Sequence, residues 1–169
     1  MNAPLAKLVF IAIGSNLSDP KQNVLHAMDC LGELSDFPLA RSSLWQSTPV
    51  DCPPGSPLFV NAAVGLVPRA EETPERLLDH LQSLEREFGR QPKTVHNEPR
   101  PLDLDLIAFQ QQTRASNRLT LPHPRAHQRR FVLQPLSEIA AELVLPGQDL
   151  SVVQLLEAMD SSEQLLRLQ

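Results

Sequence analysis

Apolar positions along the chain follow two rhythms. Leu8 to Ile13 is an unbroken apolar run, partly β-branched, and predicts a strand covered on both faces, hence the centre of a sheet. It stops at Gly14-Ser15-Asn16. After Ser18-Asp19-Pro20, a capping side chain followed by a first-turn proline, Val24, Leu25, Met28 and Leu31 recur on one helical face until Gly32. Leu39 to Thr48 and Phe59 to Val67 predict two further strands. The loop between them, Pro49 to Pro57, holds four prolines and a glycine in nine residues, which forbids regular structure. Thr73-Pro74 opens a second helix by the same cap and proline logic, with Leu77, Leu78, Leu81, Leu84 and Phe88 at helical spacing until Gly89. Leu102 to Phe109 and Leu119 to Leu121 predict strands, Arg129 to Ile139 a helix with Pro135 inside or at a break, and Val152 to Met159 a last helix.

Strands interspersed with helices, and two strands joined directly by the proline loop, predict an α+β fold: an antiparallel or mixed sheet with helices packed on it. Arg90 to Arg100 is a polar stretch longer than an ordinary connection of ~4 to 6 residues and suggests a functional lid. At 169 residues the chain allows one domain with a proper core. Sixteen prolines, about twice average usage, reinforce the expectation of stiff loops. The six-residue apolar run near the N-terminus lacks a small-residue cleavage site, and no stretch approaches the ~18 apolar residues of a membrane span. A cytoplasmic location without membrane association is expected. Cys30 and Cys52 offer neither a disulfide framework nor metal spacing, so both read as reduced and structural.

Charge changes the picture more. The net charge of −5 argues against a general nucleic-acid binder. Yet between Arg86 and Arg130 nine basic residues face four acids, so that segment is +5 in an otherwise acidic chain. A basic stretch of this kind reads as a pocket for a small polyanion. Within it, Asp103-Leu104-Asp105 lies in a predicted strand, where period two sends both carboxylates to one face, roughly 6 to 7 Å apart. Two like charges side by side call for a cation, and oxygen-only ligands suit Mg²⁺. Carboxylates holding magnesium beside phosphate-neutralising arginines are the parts of phosphoryl transfer. There is no GxxxxGK[ST], GxGxxG, HRD or DFG tract, so side chains must grip any nucleotide. Asn61, inside the apolar run from Phe59 to Val64, must either satisfy backbone or read a ligand edge.

Ile11 to Leu17, Thr48-Pro49, Phe59 to Ala63, Pro99 to Asp105 and Leu121 to Pro124 stand in the order and spacing of the 6-hydroxymethyl-7,8-dihydropterin pyrophosphokinases, a family that the chain resembles over nearly its whole length. The resemblance implies a three-layer α/β/α architecture around a mainly antiparallel sheet with a ferredoxin-like core. It also implies a monomer that moves pyrophosphate from ATP to the hydroxymethyl group of a reduced pterin in folate biosynthesis, releasing AMP. Carried over by position, Asp103 and Asp105 resemble the ligands of two Mg²⁺ ions. Gln82, Glu85, Arg100, Leu106, Arg118, Thr120, His123 and Arg129 resemble the ATP-contacting set, with Arg90 and Arg100 as catalytic arginines on the lid. Thr48, Pro49, Phe59, Asn61 and Phe131 match the pterin pocket.

This chain departs from the family pattern at Asn97 and Glu98, where an aromatic and a glycine are common, at Pro92 and His96 in the lid, and at Phe59, where tyrosine is frequent. Asp51 stands in place of an apolar loop residue. Two alternatives stay open: a paralogue acting on a differently substituted pterin alcohol, and a non-catalytic pterin or nucleotide binding protein.

Overall fold

The computed structural model describes residues 3–169. Its strands in chain order are β1 (Val9–Ser15), β2 (Ala40–Arg41), β3 (Trp45–Ser47), β4 (Phe59–Leu66), β5 (Asp103–Phe109), β6 (Arg114–Ala115), β7 (Thr120–Leu121) and β8 (Leu165–Arg167). The helices are α1 (Pro20–Gly32), α2 (Pro74–Glu87), α3 (Arg130–Ala140) and α4 (Val152–Ala158). The apolar run starting at Leu8 does become a central strand, with β5 on one side and β4 on the other in the order β5-β1-β4-β3-β8, and with β2 also on β4. Every pairing among the described residues is antiparallel.

The helix starts follow the local chemistry. The Asp19 carboxylate accepts from Gln22 N at 3.2 Å and the Thr73 hydroxyl from Arg76 N at 3.2 Å, each with proline in the first turn. Ser151 and Gln154 cap α4 reciprocally. On α1 the buried face is Val24, Ala27, Met28 and Leu31, while Leu25, expected to share it, is exposed at the rim.

One predicted strand is broken in two. Between β2 and β3 the Ser42 hydroxyl accepts from Ala63 N at 2.8 Å, taking the place of a main-chain carbonyl and interrupting the ladder. β6 and β8 carry no periodic signal long enough to be predicted from sequence.

Strand alternation sorts the core into two halves. Val9, Ile11, Ile13, Val64 and Leu104 pack beneath α1 and α2, whereas Phe10, Ala12, Ala63 and Ile107 pack against α3 and α4. The result is the expected three-layer α/β/α arrangement. On the α3 side, side chains shrink along β1 from Phe10, 1% exposed, through Ala12 to Gly14, so one end of that face is left uncovered.

Candidate active site

That uncovered end is the floor of a cleft. The register sets Gly14 between Asn61 on β4 and Asp103 on β5, and Ala12 between Ala63 and Asp105. Residues opposite one another share a face, so Asn61, Asp103 and Asp105 point to the same side as the smallest residues of β1. A Cβ on Gly14 would meet only ordinary contacts, Asn61 Oδ1 and Phe59 Cδ1 at 3.7 Å. The missing side chain therefore opens the floor and relieves no clash.

The charged end is built from the lid and β5. Arg90 Nη1 donates to Asp103 Oδ1 at 2.8 Å, to Glu85 Oε1 at 2.7 Å and to the Leu102 carbonyl at 3.3 Å. Arg100 Nη2 donates to Asp103 Oδ2 at 2.9 Å, so both oxygens of that carboxylate are held by guanidinium groups. Glu85 Oε1 also accepts from Leu104 N at 2.8 Å, tying α2 to the strand that carries both aspartates. Asp105 has a looser partner, Arg129 Nη1 at 4.0 Å.

The two aspartates differ accordingly. Burial raises the pKa of Asp103, but the charges and hydrogen bonds of Arg100 and Arg90 outweigh it and hold the group below the ordinary carboxylate range. Burial and the neighbouring Asp103 charge push Asp105 up to about 7, with Arg129 offsetting only part. Burial likewise raises Glu85, against the Leu104 N–H and Arg90.

Asp105 is thus the under-compensated member of the pair, and the place where a further cation gains most. Among the described residues no cluster of three or more His, Cys, Asp or Glu could cage a metal. Two carboxylates with an open side suit Mg²⁺, which keeps waters and shares its shell with substrate phosphates.

Arg100 does more than pair with Asp103. Its main chain is clamped to the turn after β1, with Arg100 N donating to Asn16 Oδ1 at 2.9 Å and Asn16 N to the Arg100 carbonyl at 3.1 Å. Its Nε is buried with no acceptor in the protein, and its guanidinium lies 5.2 Å above the Phe59 ring. The lid is joined to the proline loop by Asn97, whose Nδ2 donates to the Asp51 carbonyl at 2.8 Å.

The other end of the cleft is aromatic. Phe59 is buried in the floor, Phe131 stands at the start of α3, and Arg129 stacks 5.5 Å from the Phe131 ring. Asn61 Nδ2 donates to Ser47 Oγ at 2.7 Å and to the Trp45 carbonyl at 3.2 Å, leaving Oδ1 toward Gly14. A flat ring with polar edges fits between these groups.

The cleft, about 600 Å³ counting its open mouth, thus gathers Arg100, Asp103, Asp105, Arg129, Phe59, Asn61, Phe131 and Thr48. Pro49 is not among its lining residues. Sequence reasoning missed Ser47, Asn97 and Cys52 here, and Asn16, which orients Arg100. Cys52 is reduced, as expected, and its place in the cleft was not foreseen. It is a free thiol lining the cleft, and burial raises its pKa. Cys30 is also free.

The remaining expected ATP contacts lie apart from that lining. Gln82 is exposed on α2, and Arg118 pairs with Asp79 on the same helix. Thr120 is exposed on β7. His123 N donates to the Ile107 carbonyl at 2.8 Å, and burial aided by Arg129 and Arg125 pushes its imidazole down to about 4, so it is neutral at pH 7. Leu106 is buried in the core under α1 and α2, which leaves it only main-chain atoms to offer a ligand.

A family model described as 7,8-dihydro-6-hydroxymethylpterin-pyrophosphokinase (HPPK) matches residues 10–141. The chain belongs to the HPPK family. Its relatives include the 2-amino-4-hydroxy-6-hydroxymethyldihydropteridine pyrophosphokinase of Haemophilus influenzae, 39% identical over 142 residues, covering 83% of this chain and 86% of that one. The protein of the same name from Pseudomonas aeruginosa is 39% identical over 139 residues, 82% and 83% of the two chains. An HPPK-DHPS crystal structure in complex with substrates superposes with a TM-score of 0.66 at 11% identity, over 89% of this chain and 43% of that chain. A Plasmodium falciparum HPPK-DHPS gives 0.64 over 42% of its chain. This chain therefore spans less than half of those structures, and the likeness carries the HPPK fold. In this HPPK chain, α4 and β8 lie beyond the matched segment.

Proposed function

We propose that this chain transfers pyrophosphate from ATP to the hydroxymethyl group of 6-hydroxymethyl-7,8-dihydropterin, giving AMP and the pterin diphosphate, as a step of folate biosynthesis. The observation that carries this reading is the meeting of Asp103 and Asp105, among three arginines, with an aromatic and amide-lined pocket on one sheet face. One half suits a polyphosphate and the other a flat heterocycle.

In this reading Asp103 and Asp105 would hold two Mg²⁺ ions. When bound, the ions supply charge neutralisation and an acidified substrate hydroxyl. Arg90 and Arg100 leave Asp103 for the phosphates and stabilise charge on the transferred group, and Arg129 does so on the departing AMP. Arg100 already has an unused donor in Nε. Gln82, Glu85, Leu106, Arg118, Thr120 and His123 form the nucleotide side in this reading, Leu106 through its main chain. Phe59 and Phe131 sandwich the pterin, Asn61 reads its edge, and Thr48 and Pro49 border it. The pterin hydroxymethyl oxygen attacks the β-phosphorus in line as the bond from that phosphorus to the departing AMP oxygen breaks, and the hydroxyl proton passes to solvent with no protein general base assigned.

The enzyme acts as a monomer in this reading. No helix among the described residues is long and apolar enough to cross a membrane. A cytoplasmic location is part of the proposal. The test is an assay with ATP, Mg²⁺ and the reduced hydroxymethyl pterin, following AMP. Stoichiometric AMP and pterin diphosphate support it; ATP binding with no AMP release sinks it.

A further inference from the structure

The first turn of α3 lacks a local cap. Its N-cap residue, Arg129, makes no side-chain cap hydrogen bond, and the Arg129 carbonyl serves Val132 N and Leu133 N. Phe131 N would be an orphan donor at a helix start. It finds its acceptor 32 residues away, in Glu163 Oε2 at 3.2 Å. A carboxylate there also complements the positive end of the helix dipole.

Glu163 is itself held in place. Its N–H donates to Ser161 Oγ at 3.1 Å, and two residues later Leu165 enters β8 opposite Ser47. Leu168 N then donates to the Leu44 carbonyl at 2.9 Å and Arg167 Nη2 to Ser43 Oγ at 2.7 Å.

The segment from Ser161 to Leu168 therefore touches both walls of the aromatic end of the cleft. On one wall it meets the main chain of Phe131. On the other it flanks Ser47, whose hydroxyl accepts from Asn61. A hollow behind the cleft, lined by Arg130 and Glu163, shares Ser47 and Thr48 with it, so the carboxylate stands directly behind the pocket wall. None of this segment falls within the matched span, residues 10–141.

We propose that Glu163 is a positioning residue for the pterin half of the cleft: by capping α3 from a distant segment, it sets the pose of Phe131. Glu163 does not touch the substrate. It acts by restricting the first helical turn, whose rotation would swing the Phe131 ring out of the cleft that it lines together with Phe59. The inference rests on the assignment of Phe131 to the pterin pocket.

The test compares E163A, E163Q and the unaltered protein in steady-state kinetics with ATP, Mg²⁺ and the hydroxymethyl pterin, alongside amide hydrogen exchange at Phe131. E163A is expected to raise KM for the pterin about fivefold to tenfold, the scale of one lost cap, with kcat and KM for ATP within about twofold. Exchange at the Phe131 amide should speed up in parallel. E163Q keeps an acceptor oxygen and should stay near the unaltered protein in both readouts. The inference is overturned if E163A lowers thermal stability while pterin KM stays put, if both substrates are affected equally, or if E163Q is as impaired as E163A. If the unaltered protein neither binds the pterin nor releases AMP, the assignment of the cleft has failed as well, a result distinct from normal turnover with an unresponsive E163A.

Discussion

The two ends of the cleft stand on the same strands yet are held by opposite means. At the charged end, Arg90, Arg100 and Arg129 press on a pair of aspartates, contacts that rearrange for phosphates in the proposed function. At the aromatic end, Phe59, Asn61 and Phe131 are fixed by packing, by Ser47 and by Glu163, with no ion pair among them to break. One end is poised by electrostatics and the other is preformed by shape. A charge cluster without its counter-ions costs free energy, so it recruits whatever cations the chain supplies. A neutral pocket has no such demand.

The largest expected effect comes from the aspartates. Asp103→Ala or Asp105→Ala should lower AMP release at least ~1,000-fold, because several kcal/mol of charge stabilisation depend on each. Melting temperature sharpens the contrast. Asp103→Ala leaves Arg100 without its carboxylate partner and Arg90 with Glu85 alone, in a partly buried site, and should destabilise the fold by about 3 kcal/mol. Asp105→Ala removes the under-compensated charge and should leave stability equal or higher. Equal losses in both variants would erase the distinction between the two carboxylates.

Arg100→Met should cut turnover by ~100- to 1,000-fold, the scale of one well-placed donor to developing charge. An unchanged rate would remove Arg100 from the charged end. At the other end, Phe131→Ala should raise KM for the pterin about tenfold while KM for ATP changes less than about twofold. If both rise together, the two ends are not separable.

The smallest effect is in pH. Free histidine titrates near 6.5 and folded His123 at about 4, so between these values the unfolded chain takes up a proton that the folded one refuses. His123 therefore contributes stability that is complete above about pH 6.5 and is lost as pH falls toward 4. Asp105, raised to about 7 from 3.8, works in the opposite sense over much of that window. The informative quantity is the difference between the unaltered protein and H123N. Going from pH 7 to 5, the unaltered protein should lose about 1 kcal/mol relative to H123N, discounted for partial exposure, or roughly 2 to 4 °C in melting temperature.

Much of this was legible along the chain. The apolar run from Leu8 predicted a strand covered on both faces and flanked on both sides, though β4 and not β1 is the middle strand, and Asp19-Pro20 and Thr73-Pro74 marked two helix starts to the residue. The break at Ser42 was not legible, because a serine hydroxyl replaces a ladder carbonyl only once Ala63 lies opposite. Asn16 showed only as part of a Gly-Ser-Asn turn signal, though its amide clamps Arg100 from 84 residues away. Cys52 looked inert because a lone cysteine in a proline loop gives no sign of which way the loop folds.

What the residues determined unaided was local. Period two put Asp103 and Asp105 on one face, and caps and prolines started the helices. Tertiary structure alone chose which cations meet each aspartate, which face of the sheet stays uncovered, and that Glu163 completes a helix begun 33 residues earlier. Backbone geometry and side-chain capping act over a few residues, whereas pairing and burial depend on distances that exist only after the sheet has closed.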